Sequence, residues 1–148
     1  MWRRVKKFFS DERGEYLVQF VLLFPLAIVM LGLVIDGGFM YQQYRAAQTT
    51  VEAAAQVASH EIDVIHFRET NQVILNRGAA TAIAQQFVNL NKNQYLVKTK
   101  ITAKPERITV WGQAKVPTIF FKIFGVTELV MTVSGHGYPA FGINREGE

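Results

Sequence analysis

The sequence predicts an α+β protein. A long N-terminal transmembrane helix continues into an exported domain that holds a second helix and a three-stranded antiparallel sheet. Three observations carry that reading. Residues Tyr16 to Ile35, YLVQFVLLFPLAIVMLGLVI, include no charged side chain. The stretch that follows is rich in Ala, Gln and Glu, which favour helix. Beyond Tyr95 the apolar pattern changes to a period of two, the mark of strands.

The composition sets the bounds. Of 148 residues, 49% are hydrophobic and 19% charged, too apolar a balance for a disordered chain. There is no cysteine, which excludes disulfides, thiolate metal sites, a Cys nucleophile and a lipidated N-terminal Cys. The net charge is +4. Such a charge points to nucleic acid when it clusters on a folded face. Here the dense cluster, Arg3, Arg4, Lys6 and Lys7, lies ahead of the apolar run, so the expected partner is a membrane and no nucleic acid.

The 20 uncharged residues would form a helix about 30 Å long, the thickness of a bilayer's hydrocarbon core. A chain of this size offers too little protein to bury a helix that is apolar all round. Residues 1–14 carry five positive charges against two negative, whereas residues 36–55 carry only Arg45 against Asp36 and Glu52. Positive residues stay on the cytoplasmic side. The expected topology is therefore single-pass, with the N-terminus inside and the C-terminal domain outside the cytoplasmic membrane. The domain reading is 1–14 basic cytoplasmic leader, 15–36 transmembrane helix, 37–138 exported domain and 139–148 flexible tail.

The helix is expected to run from about Glu15 to about Ile65, because Val51, Ala54/Ala55, Ala58, Ile62 and Ile65 recur at helical spacing. Pro25 should loosen it within the membrane, and Gly37-Gly38 marks a second soft point. Its alanines would let another helix or a sheet approach closely. A second helix is expected from about Asn71 to Asn89, capped by Thr70 or Asn71, with Gly78 in its middle. Tyr95, Val97, Thr99 and Ile101 alternate with Leu96, Lys98 and Lys100, and Ile108 to Val116 alternate likewise. Lys104-Pro105-Glu106-Arg107 supplies the turn between two paired strands. Glu128–Ser134 gives a third strand. Pro117–Gly125 connects, with Ile119, Phe120, Phe121, Ile123 and Phe124 exposed unless they pack on the core or a partner.

Three kinds of N-terminus fit the opening residues: a cleaved secretory signal, an uncleaved anchor, and a leader cut ahead of the apolar run after a Gly. The run is longer than a secretory signal needs, and Ala53-Ala54-Ala55 lies far past it. Arg13-Gly14-Glu15 stands where the third kind is cut.

Taken together, RGEYLVQFVLLFPLAIVMLGLVIDGGFMYQQYRAAQTTVEAAAQVAS resembles the N-terminal signature of TadE-like proteins, minor pilins (pseudopilins) of the tight-adherence, Flp-type pilus systems. The later segments VPTIFFKIFG and LVMTVSGHG are similar to the same family. The resemblance implies a pilin-like fold, cleavage by a prepilin peptidase between Gly14 and Glu15, and a mature chain beginning at Glu15. It implies helix packing in assembly that involves Gln19, Pro25 and Asp36. Gln19 occupies the fifth mature position, where type IV-like pilins usually carry Glu. An amide there can hydrogen-bond to a neighbour's N-terminal amine but gives no charge pairing. The implied partners are the prepilin peptidase, the major pilin, other minor pilins and the pilus assembly platform, with an extracellular pilus as a further location.

No residue pattern supports chemistry. There is no G-x-x-x-x-G-K-[ST] phosphate loop, no G-x-S-x-G elbow and no H-E-x-x-H zinc motif, and no cofactor is expected. His60 and His66 lie on different faces of a helix, and with Glu61 and Asp63 they read as solvated residues. Gly135-His136-Gly137 reads as a strand end. The lysines of the first strand pair read as protection of a sheet edge. Asp36 reads either as a functional acid or as an interfacial residue ending the span. The function expected is that of a minor pilin in pilus assembly; the alternative is an uncleaved single-pass anchor presenting a small extracytoplasmic binding domain. An enzyme is not expected.

Overall fold

The computed structural model describes residues 12–139, with side chains from residue 16 onward. The basic leader through residue 11 and the tail from residue 140 lie outside the described residues. Helix α1 (Glu12–Ala58) is followed by α2 (Val64–Thr70), α3 (Arg77–Asn91), β1 (Leu96–Lys104), β2 (Arg107–Pro117), a 3-10 turn (Phe121–Phe124) and β3 (Glu128–Gly137). The strands form one antiparallel sheet in the order β1-β2-β3. The expected α+β class, with one long apolar helix, further helices and a three-stranded sheet, is the class observed. Two units divide the chain. One takes in α1 as far as Phe39 together with Thr118–Thr127; the other runs from Met40 to Pro117 and resumes at Glu128.

The second unit has its core where the sheet meets helix. Val51, Ala54, Ala55 and Ala58 of α1 are buried with Ala80, Ala84 and Val88 of α3. The sheet supplies Leu96, Ile108, Val110, Ala114 and Val133. Most of these side chains are small, so the layers must come close to exclude water. Gly135 and Gly137 of β3 make this possible. A Cβ on Gly135 would overlap the carbonyl oxygen of Val51, and one on Gly137 that of Ala55. What reads in the sequence as an ordinary strand end is the place where β3 lies against the backbone of α1. The Gln48 amide fixes the pairing by donating to the Ser134 carbonyl at 2.9 Å.

Three boundaries differ from expectation. Helix α1 stops at Ala58, not near Ile65. The amides of His60 and Glu61 bond three residues back, to Val57 and Ala58, tightening the last turn. The chain then leaves for a bridge between Ile62 and Leu75. Ile65 belongs to the separate α2 and is exposed. The Asp63 carboxylate starts α2 by accepting from the His66 amide at 3.0 Å. Asn71, expected to open a helix, closes α2 in the left-handed conformation at φ 56°.

The second predicted helix begins later, at Arg77, with Asn76 as its cap accepting from Ala79 at 3.2 Å. Gly78 therefore falls in a first turn rather than mid-helix. Residues 72–76 are extended because Leu75 donates to Pro105 and Asn76 to Glu61, both at 2.8 Å. These tertiary hydrogen bonds override local helix preference.

The hairpin forms as expected, with Lys104 paired to Arg107 around Pro105-Glu106. A bulge at Val97, between the pairs Leu96–Ala114 and Lys98–Gln113, reverses the facing at the start of β1. Leu96 is buried and Val97 half exposed, the opposite of simple alternation. Along β2 the alternation of buried Val110, Gly112, Ala114 and Val116 holds as predicted.

The close approach at β3 predicts a clear asymmetry between glycines. Gly135→Val should lower stability by about 1–3 kcal/mol or more through overpacking against α1. Gly78→Ala, whose new Cβ would meet only the Asn76 Oδ1 at 3.7 Å, should leave stability unchanged or raise it slightly. Thermal unfolding of the detergent-solubilised protein, followed by circular dichroism, separates the two.

Candidate functional site

The first part of α1 carries an apolar surface on nearly every side. It is long and apolar enough to cross a membrane. Its large side chains point outward rather than into protein: Tyr16, Leu22, Phe24, Met30 and Val34 are all exposed. In water such a surface would be strongly unfavourable, at roughly 25 cal/mol for each Å² of apolar area. Two residues break the pattern. Gly32 and Asp36, four apart on one face, are buried.

They are covered by residues 118–127. The Thr118 amide donates to the Thr127 carbonyl at 3.1 Å, and the Thr118 hydroxyl donates to the Val126 carbonyl, which closes the neck of a loop. Inside it, Ile123, Gly125 and Val126 donate to Phe120, Lys122 and Phe121. Gly125 ends the 3-10 turn with φ 85°, a conformation open to glycine. The amides at the start of the turn have no carbonyl within the loop to bond. Asp36 supplies their acceptors. Its Oδ1 accepts from Ile119 at 2.9 Å, and its Oδ2 accepts from Phe120 at 2.9 Å and Phe121 at 2.8 Å. The carboxylate is 1% exposed. Beside it, the Phe120 ring covers Gly32 so closely that a Cβ there would lie 2.7 Å from Phe120 Cγ.

Asp36 thus ends the uncharged run, as the interfacial reading has it, and also holds a distant segment. A buried carboxylate needs such partners, since an unpaired charge taken out of water is costly. Sequence reasoning singled out Asp36 and the apolar residues between Ile119 and Phe124, but missed Gly32 and the link between that loop and Asp36. The available signal for Gly32 was its i, i+4 spacing from Asp36.

The remaining predicted residues are spread along α1. Gly14 and Glu15 are helical, near the N-terminal end of the described residues. Gln19 is exposed, and its side-chain amide has no partner among the described residues. Pro25 sits inside the continuous helix, where its ring nitrogen leaves the Val21 carbonyl without the usual donor. At about 100° per residue, Pro25, Gly32 and Asp36 share one face, whereas Gln19 lies roughly 120° round and about 25 Å from Asp36 along the axis. The structure brings Pro25 and Asp36 onto one stripe and leaves Gln19 on another.

Elsewhere polar side chains serve the fold. Asp63 caps α2, Thr109 contacts His136 Nδ1 at 3.2 Å, and Lys115 pairs with Glu128 at 2.9 Å.

An uncharged helical run closed by a buried acid and preceded by Arg13-Gly14-Glu15 is an arrangement that can be compared with known families. Residues 14–56 match the family of TadE-like proteins. The TadE-like segment takes in Gly14, Glu15, Gln19, Pro25, Gly32 and Asp36, and the resemblance stated from the sequence is shown over these residues. The loop at 118–127 and the sheet lie beyond it. The TadE-like family is a pilin-like family, not a family of enzymes. No curated protein and no solved structure matches the chain.

The Asp36 linkage predicts a local effect. In Asp36→Ala the amides of Ile119, Phe120 and Phe121 lose their acceptors, and their hydrogen exchange should quicken by roughly tenfold or more. The amides of Val110 and Ala114, in the middle strand, should exchange as before. Hydrogen–deuterium exchange read by mass spectrometry in detergent or nanodiscs makes the comparison.

Proposed function

We propose that this chain is a minor pilin (pseudopilin) that takes part in assembling a Flp/tight-adherence type pilus, inserting through its N-terminal hydrophobic helix. The observation that carries the reading is the TadE-like match over residues 14–56 on a helix whose apolar surface is exposed. In this reading α1 spans the cytoplasmic membrane with its N-terminus inside, and residues 37–138 form the exported domain. A prepilin peptidase cuts between Gly14 and Glu15. That bond lies ahead of the apolar run, at the N-terminal end of the described part of α1.

Assembly partners then include the major pilin, other minor pilins and the assembly platform. In lipid, apolar contacts alone drive helices together weakly. Close packing and satisfaction of polar groups matter more. Gln19 is suited to the second role, since it presents an amide on the exposed surface of an otherwise uncharged run. Pro25 removes the i+4 amide donor from the Val21 carbonyl. Each would be met by a donor or acceptor on a sister helix. Pairing a membrane amide in this way contributes about 0.6–2 kcal/mol.

Processing gives the first test. N-terminal sequencing of the membrane-extracted protein should read from Glu15, and Gly14→Phe should accumulate a precursor fourteen residues longer. An intact Met1 in the parent protein would favour the uncleaved anchor that presents an extracytoplasmic domain. The second test concerns Gln19. If it meets a neighbouring amine, Gln19→Glu should be incorporated into sheared pili as well as the parent or better, while Gln19→Leu should be incorporated less. Loss of incorporation in the Glu variant would place the residue against an apolar neighbour.

A further inference from the structure

The 118–127 loop exposes more apolar surface than a strand connection needs. Ile123 is 79% exposed, Phe124 65%, Ile119 59% and Val126 40%. These residues are grouped in ten positions of sequence, with Lys122 exposed among them. The loop's depth along α1 is fixed. Asp36 holds its amides at the residue that ends the uncharged run, and Phe120 covers Gly32 one helical turn earlier, about 6 Å along the axis. If Tyr16–Ile35 fills the hydrocarbon core, this loop stands at the boundary between acyl chains and headgroups.

From that register we propose that the 118–127 loop is a membrane-interface anchor. It inserts Ile119, Ile123, Phe124 and Val126 among the lipids of the leaflet at the C-terminal end of the span. The inference rests on the reading of α1 as a membrane helix. Its occupant is lipid because the loop is held on the Gly32–Asp36 face, which the exposed apolar Leu33 and Ile35 of that same helix flank at about 100° per residue, so its apolar side chains are set at the depth of that apolar surface. Irregular backbone is tolerated at this depth only when its polar groups are satisfied within the protein. Here Asp36 accepts from the amides of Ile119, Phe120 and Phe121, and the loop's own carbonyls accept from those of Thr118, Ile123, Gly125 and Val126. Lys122 can extend its stem along the apolar surface and place its ammonium among lipid phosphates. The loop thereby gives the single span a second point of attachment and limits rotation of α1 about its axis.

The chain has no cysteine, so one introduced thiol is a unique labelling site. Three variants, Leu23→Cys, Ile123→Cys and Gln113→Cys, would carry an environment-sensitive fluorophore in vesicles of phosphatidylethanolamine and phosphatidylglycerol. The expected result is that Leu23 is quenched by lipids spin-labelled deep in the acyl chain, and Ile123 by lipids spin-labelled near the headgroup. Gln113, exposed on β2, should be quenched by aqueous iodide. Adding Asp36→Ala to the Ile123 variant should raise its iodide quenching severalfold while Leu23 stays in lipid. Iodide quenching of Ile123 equal to that of Gln113, with Leu23 in lipid, would overturn the anchor and leave the span intact. Shielding of Ile123 from iodide and from both lipid quenchers would mean that a second copy or another protein covers the loop, and would also overturn it. Iodide access at Leu23 would refute the membrane reading of α1 itself.

Discussion

A polar group in apolar surroundings must find its partner within the protein, and Asp36 is where this chain meets that requirement. Its carboxylate closes a run of twenty uncharged residues and is itself buried. Three amides from residues more than eighty positions away are its partners. The exchange is reciprocal, because those amides open a 3-10 turn and have no acceptor of their own within the loop. Removing the acid would leave those three amides without acceptors, and such loss costs more than a missing contact between two apolar side chains. The position of the loop, the cover over Gly32 and the exposure of Ile123 and Phe124 all depend on this one linkage.

The sheet-bearing unit answers a different constraint. Its core is assembled mostly from alanines and valines, which individually remove little apolar area from water. Small side chains compensate by letting backbones come close, which multiplies dispersion contacts and excludes water. Gly135 and Gly137 on β3 face Val51 and Ala55 on α1, so small residues on the helix meet absent side chains on the strand. The alanine-rich extension of α1 is therefore the surface on which β3 lies, and its composition has a packing reason in addition to helix preference.

Much of the fold was legible because its signals are local and periodic. The uncharged run, the hairpin around Pro105-Glu106 and the alternation along β2 each follow from side-chain spacing within one element. The misplaced boundaries share a cause. Ala58 ends α1, and residues 72–76 stay extended, because backbone groups there bond partners across the fold: Ile62 bridges Leu75, Leu75 donates to Pro105 and Asn76 donates to Glu61. Asn71 carries the same turn chemistry whether it opens a helix or closes one, and only the conformation of its neighbours distinguishes the two. The bulge at Val97 likewise depends on the register with β2.

The sequence by itself determined the α+β class, the apolar helix and the TadE-like character of the N-terminal segment, because hydrophobic length, charge placement and short motifs need no knowledge of distant contacts. The resemblance carried by that segment also marked Gly14, Glu15, Gln19, Pro25 and Asp36. Only the tertiary structure decided what Asp36 holds, why Gly32, Gly135 and Gly137 are glycines, and where the aromatic residues of the 118–127 loop stand. Those facts rest on close approach between segments far apart in the chain, and periodicity along one segment carries no record of its neighbour.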